Sequence, residues 1–455
     1  MKLFKYILLL VSMLCLTAAC SDFLETESPS DQLDQQMVFN DPQTADAAMN
    51  NIYVSLAEGG FFNGNSSEIG FLLGCYTDEL DVLTMQNSDP RKFYDAAILP
   101  DNTAVKRLWN TTYKQIYAVN NVIKGVEGSE SLSETVRNSL KGQAVAVRGI
   151  LHFYLSQTFG DVPYIKTTDY NVNKKVSRQS VSDVVMLAVD DLKEAELLLE
   201  GQVDGVEKIR VNKLVVQAFL ARMYLYQKNW AESLRYADML VHNPVYELEP
   251  LETLFLKQSG SAVWQLKPTI TGFNTYEAMA HIFMANPAPL AQLSADLLNG
   301  FESGDRRKEQ WVKFVGGTDH SAHSYKYKQR GFTSPSVEYS VVLRIEEMYL
   351  IAAEAAAELG NWTDCNAYMN SIRSRAGLGN VELSDMATAE KAILKERRVE
   401  FFCEFGHRFY DLKRRNKLMD LLHVKPNWME YFKTLPIPQD EILLNGNLLP
   451  QNTGY

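Results

Sequence analysis

The chain has 455 residues, 46% of them hydrophobic and 22% charged, with a formal net charge of −11. That length supports a sizeable core in one large domain or two closely packed ones. The acidity argues against nucleic acid, whose binding rests on neutralising phosphates with Lys and Arg.

Residues 1–19 read as a targeting segment. Lys2 and Lys5 precede an apolar run from Tyr6 to Ala19, which is too short to span a bilayer. The run ends in Leu16-Thr17-Ala18-Ala19-Cys20, small residues before a cysteine whose thiol can take up lipid. It resembles a bacterial lipobox, although Leu16 stands four places before the cysteine, where three is usual. The expectation is a mature chain lipidated at Cys20, held by acyl chains on the cell outer membrane, with residues 20–40 as an extended tether. No later apolar run approaches the ~20 residues a transmembrane helix needs. Cys15 would leave with the signal. Cys75, Cys365 and Cys403 then form an odd, widely spaced set that suits neither a disulfide framework nor a zinc knuckle. Cys365 and Cys403, in apolar helical contexts, read as buried free thiols.

Helical periodicity then dominates. Thr44 to Leu56 reads as one helix, and Gly59 to Pro100 as a loop-rich stretch punctuated by Gly-Gly, Asn-Gly and Asp-Pro. Apolar residues at three- and four-residue intervals predict helices over 103–126, 133–158, 180–200 and 210–227. Two later segments match each other. Ala221 stands nine residues before Trp230 in Lys228-Asn229-Trp230, and Ala353 nine before Trp362 in Gly360-Asn361-Trp362. A small residue that lets two helices approach, and an aromatic at the turn, resemble the tetratricopeptide helix–turn–helix. These copies stand 132 residues apart, however, where such repeats are normally tandem. Between them, Val263–Leu266 reads as a strand within an irregular, aromatic-rich stretch.

Paired charges occur at helical spacing, such as Glu404/Arg408 and Asp411/Arg415, four apart. Glu400 and Glu404 lie one turn apart, but Arg397, Arg398 and Arg408 nearby would lower both carboxyls, the wrong direction for a general acid. They read as a structural ion-pair network. Gly406 fits a helix end that needs a residue without Cβ. His320 and His323 lack a third ligand, Asp78, Glu79 and Asp81 read as solvated, and no nucleophile shows an activating motif. No enzyme, metal or cofactor is expected.

The chain resembles the SusD/RagB family. The residues that carry this are Cys20-Ser-Asp-Phe-Leu-Glu25, Arg148 with Phe159-Gly-Asp-Val-Pro163, Asp190-Asp191-Leu192, and Arg344 leading to Arg373-Ser-Arg-Ala-Gly377. Glu396-Arg-Arg398 with Glu404-Phe-Gly406 and Asp411-Leu412 follows, then Leu435-Pro-Ile-Pro-Gln439 and Gln451-Asn-Thr-Gly-Tyr455. The resemblance implies a mostly α fold: a tetratricopeptide-like scaffold (about 41–58, 103–244 and 341–420) with an irregular lobe containing minor β (about 59–102 and 245–340). With a C-terminal segment, 421–455, these would form a single domain over 41–455. It also implies surface capture of nutrient oligosaccharides, or of peptides, for a TonB-dependent, SusC-like transporter. An adhesin or assembly subunit is the rival. Sugar recognition needs flat aromatic faces beside amides, carboxylates or Arg, which the loop over 85–94 offers in Asn87, Asp89, Arg91, Phe93 and Tyr94. Phe273, Asn274 and Tyr276 offer the same, and family ligand contacts tend to come from these two regions. The two loops are expected to converge, with Phe93 and Phe273 as core in the alternative.

Overall fold

The structure, a computed structural model, describes residues 35–84, 87–201, 205, 207–316 and 320–455. Cys20, the signal segment and most of the tether therefore lie outside the described residues, as do Met85 and Gln86. Helices are capped as their flanking sequence dictates. Asn102 accepts from the amides of Ala104 and Val105 to start Thr103–Glu127, and Ser133 starts Glu134–Phe159. Ser180 and Asn212 do the same for Val181–Leu198 and Lys213–Tyr226. Pro42–Glu58 opens on Asp41, with proline in its first turn. No helix among the described residues is long and apolar enough to cross a membrane.

The two repeat corners coincide bond for bond. Asn229 (φ −85°, ψ 76°) caps Trp230–Val241 and Asn361 (φ −86°, ψ 79°) caps Trp362–Arg375. The preceding residue is left-handed in both, Lys228 at φ 57° and Gly360 at φ 74°. The Asn229 amide donates to the Tyr224 carbonyl at 2.9 Å, as Asn361 does to Ala356 at 2.8 Å. Ala221 and Ala353 are fully buried where the helices meet, and the Ser233 hydroxyl donates across to the Ala221 carbonyl at 2.9 Å. Trp230 and Trp362 are half-buried.

The gap between the copies closes through a strand pair. Ala262–Leu266 pairs antiparallel with Ser340–Arg344, which runs directly into the Ile345–Glu358 helix. The excursion thus returns the chain beside its point of departure, and Ile345–Glu358 packs against Trp230–Val241. Thr103–Glu127, Glu134–Phe159, Val181–Leu198, Lys213–Tyr226, Trp230–Val241, Ile345–Glu358 and Trp362–Arg375 pack each on the next, a stacked array interrupted in sequence but not in space. The fold is mostly α and tetratricopeptide-like, with three two-stranded sheets among the described residues.

The stretch read as loops from Gly59 to Pro100 contains more order than its glycines suggest. Ile69–Tyr76 is a helix buried on every side. Gly70 sits inside it because Phe405 crosses closely: a Cβ there would lie 3.3 Å from the Phe405 Cα. Leu80–Val82 pairs with Ala291–Leu293, and Asp89–Tyr94 forms a short helix with Pro90 in its first turn. Cys403 is not helical but turns left-handed, at φ 58°, after the Met386–Phe401 helix; Cys75 and Cys365 are buried free thiols.

Candidate ligand-binding face

Phe273 is 6% exposed, its ring 4.9 Å from Tyr276 on one side and 5.6 Å from Phe332 on the other. Asn274 is buried and holds the loop that carries Phe332. Its amide donates to the Gly331 carbonyl (2.9 Å) and to Thr333 (3.0 Å), and its carbonyl oxygen accepts from the Val337 and Glu338 amides. With those bonds made, Asn274 positions the face rather than contacting a ligand. Phe332 is left 66% exposed and Tyr276 half-exposed. The Tyr276 hydroxyl donates to Glu58 Oε2 at 3.0 Å, and Thr269 donates to the other Glu58 oxygen. Exposed Lys267 pairs with Glu207 at 3.0 Å beside them. The hollow between these groups holds about 20 Å³, room for a water or so, so a sugar here would lie on the surface.

The 87–94 segment is occupied differently. Phe93 is core, fully buried with its ring 5.7 Å from that of Tyr76, so it offers no face to a ligand. Arg91 forms a forked pair with Asp95 at 2.6 and 2.7 Å. Tyr94 is half-buried, with the Lys425 ammonium 3.2 Å from its ring centroid and Arg91 at 5.2 Å. The same Lys425 nitrogen donates to the Cys75 and Tyr94 carbonyls, and burial pushes it down to about 8. Asp89 accepts from Thr103 at 3.5 Å, and Asn87 is exposed. Among the described residues, no hydrogen bond or ring contact joins this segment to 273–276. Phe332 and Glu58 were missed by sequence reading. Arg330-Gly-Phe-Thr-Ser-Pro335, an aromatic in a turn-rich stretch, was the available signal.

The carboxylates near Gly406 have other partners than their neighbours in sequence. Glu400 is held by Arg344 (2.6 Å), Arg307 (2.9 Å) and Arg375 (2.5 Å), and Glu404 by Arg344 (2.9 Å) and Lys326 (2.5 Å). Burial alone would raise both, but these cations hold Glu400 well below the usual carboxylate range and lower Glu404. Arg397, Arg398 and Arg408 instead bind Asp411, Asp296 and Asp78. The expected four-residue pairs are therefore replaced: Arg408 reaches Asp78 at 2.6 Å, and Arg415 reaches Glu358 at 2.6 Å. Gly406 starts the His407–Arg414 helix at φ 75°, where a Cβ would lie 2.5 Å from Leu73.

Burial raises several carboxyls, Glu79 and Glu277 furthest. Burial, with Asp78 adding to it, pushes Glu79 up to about 8, and burial pushes Glu277 up to about 7. Both are buried. Glu277 faces an enclosed space of about 10 Å³ with His281, Tyr327 and Glu404. Among the described residues, no group of three or more His, Cys, Asp or Glu could hold a metal.

Two family models match the sequence, "Starch-binding associating with outer membrane" over residues 22–225 and "SusD family" over 305–455. The chain belongs to the SusD/RagB family. SusD-like protein P2 of Formosa agariphila is 25% identical over 517 residues, spanning 99% of this chain and 100% of that protein. A SusD superfamily protein from Bacteroides vulgatus shares the fold at TM-score 0.78 and 20% identity, covering 92% of this chain and 100% of that one. Surface glycan-binding protein A from Bacteroides thetaiotaomicron, solved in complex with laminarihexaose, matches at TM-score 0.74 and 19% identity, covering 90% and 99%. At these identities the structural likeness is one of fold.

Proposed function

We propose that this SusD-family chain is a lipid-anchored protein of the outer cell surface that captures nutrient oligosaccharides. It would deliver them to a TonB-dependent transporter and do no covalent chemistry itself. The observation that carries this is the exposed aromatic face of Phe332 and Tyr276, backed by Phe273 and edged by Glu58, Thr269 and Lys267. Flat rings beside hydrogen-bonding groups suit a pyranose, whose apolar side stacks while its hydroxyls are bonded at the rim. The laminarihexaose complex of a relative with the same fold supports the ligand class. Catalysis is disfavoured by the carboxylates themselves, because Glu400 and Glu404 are tied to cations and Glu277 and Glu79 are sealed inside.

The test is a glycan screen of the mature chain with Cys20→Ala, followed by calorimetry on the tightest oligosaccharide. Phe332→Ala and Tyr276→Ala should each weaken binding by about 1 kcal/mol or more, roughly fivefold, in line with the worth of one aromatic contact. Reducing ends should not accumulate. Unchanged affinity in both variants would put the site elsewhere, and new reducing ends that vanish on one carboxylate substitution would make the protein an enzyme.

A further inference from the structure

One flank of the Thr103–Glu127 helix floors a groove that shares no residue with the Tyr276 face. Trp109, Tyr113, Tyr117, Asn120, Lys124 and Glu127 recur along it at three- and four-residue intervals, so they form one stripe about 27 Å long at 1.5 Å per residue. The facing wall is the segment from Pro163 to Val176, and Glu441–Leu448 closes one end. The space divides into two consecutive hollows of about 500 and 430 Å³, each within the range of small-molecule sites.

The walls are fixed. The Tyr113 hydroxyl donates to the Pro163 carbonyl at 2.9 Å, and the Asn120 amide to Ile165 at 3.0 Å. Asn445 and Asn447 tie the closing segment to the Val176 and Lys175 carbonyls at 2.8 and 2.7 Å.

Two rings stand in this groove with free area, Tyr117 at 51% and Tyr170 at 73% exposure. Its charges do not balance. Among the described residues, Lys114, Lys124 and Lys174 form no salt bridge. Lys174 instead lies 4.9 Å from the Tyr170 ring centroid. Lys166 reaches Asp191 at 3.5 Å, but Arg148 already grips that carboxylate through two nitrogens. The groove's acids are Glu127, which shares Lys141 with Glu194 at 2.8 Å each, together with Asp169 and Glu441. On a chain of net charge −11, four lysines line this groove against three acids, beside the open faces of Tyr117 and Tyr170.

We propose that the groove is a second carbohydrate site, which takes a linear oligosaccharide bearing carboxylate or sulfate groups. The rings stack sugar units, the lysines without an acid partner meet the anionic substituents, and the groove's length selects an extended chain over a monosaccharide. An acidic peptide shares the charge but gives the tyrosine faces nothing to stack on.

The test is calorimetry of the mature chain with Cys20→Ala against hexagalacturonate, a chondroitin sulfate hexasaccharide, laminarihexaose and hexaglutamate. At least one of the two anionic sugars should bind, and its affinity should fall as NaCl rises, because surface charge attraction is screened. The double variant Lys114→Glu/Lys124→Glu should weaken that binding about tenfold and Tyr170→Ala about fivefold, with melting temperatures unchanged. Phe332→Ala should leave it unaltered, so failure here is distinct from failure of the Tyr276 face. The proposal is overturned if neither anionic sugar binds at millimolar concentration. It is equally overturned if binding ignores the groove variants, or if hexaglutamate binds as well as the sugars.

Discussion

Glu277 lies directly behind the proposed binding face, one residue after Tyr276, and its titration should set how stable that part of the molecule is. One carboxyl oxygen accepts from the Ser340 hydroxyl, while the other has no hydrogen-bond partner. The carboxyl packs on Gly64, where a Cβ would fall 2.3 Å from Glu277 Cδ. Burial pushes the group from 4.5 up to about 7; the Ser340 bond opposes this, and Glu404 and Glu338 add to it. His281, also buried, is pushed down to about 3 and stays neutral. Between pH 4.5 and about 7 the folded protein therefore keeps a proton that the unfolded chain has released. Raising the pH through that window favours unfolding, and the stabilisation present below 4.5 is gone above about 7. At about 1.4 kcal/mol per pH unit, the loss is about 3 kcal/mol. Glu79, likewise raised by burial, pushes the same way up to about pH 8. Glu277→Gln keeps the shape and cannot ionise. Urea unfolding of both proteins from pH 4.5 to 8.5 should show the variant gaining on the wild type by about 3 kcal/mol across the window. Titrations not coupled to Glu277, that of Glu79 included, cancel in that difference. A stability difference that stays flat with pH would refute the reasoning.

Replacing Cys20 by Ala should release the protein from the outer-membrane fraction; a variant that stays there, with no fatty-acid label on the wild type, would overturn the anchor. Arg344→Ala should cost roughly 3–5 kcal/mol, because it strips a cation from the buried Glu400 and Glu404 carboxylates, and denaturant unfolding measures it. Trp230→Ala and Trp362→Ala should cost similar amounts, each below the roughly 3–5 kcal/mol of a fully buried Trp, since both rings are half-buried at equivalent corners. A large inequality between the two would break the equivalence.

What could be read from the residues was what local chemistry decides. Helix periodicity and caps placed the four long helices between Thr103 and Tyr226 within a few residues, and the Ala/Trp register found both corners. The same local rules misplaced Ile69–Tyr76, because Gly70 looks like punctuation until Phe405 is brought against it by the fold. Charge pairing failed for the same reason. A four-residue spacing predicts a surface pair such as Glu404/Arg408, but Arg408 is drawn to the buried Asp78, 330 residues away, where an unpaired carboxylate would be far more costly. The candidate face divides along this line too. Phe273 and Tyr276 were visible as an aromatic pair beside an amide. That Asn274 spends its amide on 331–338, and so presents Phe332, depends on a loop nearly sixty residues further on. The proposed recognition face is thus built from residues that meet where the Ala262–Leu266 and Ser340–Arg344 strands close the excursion between them. That pairing helps bring the second repeat against the first and the Phe332 loop against Phe273. Disturbing it should therefore unsettle scaffold and face together.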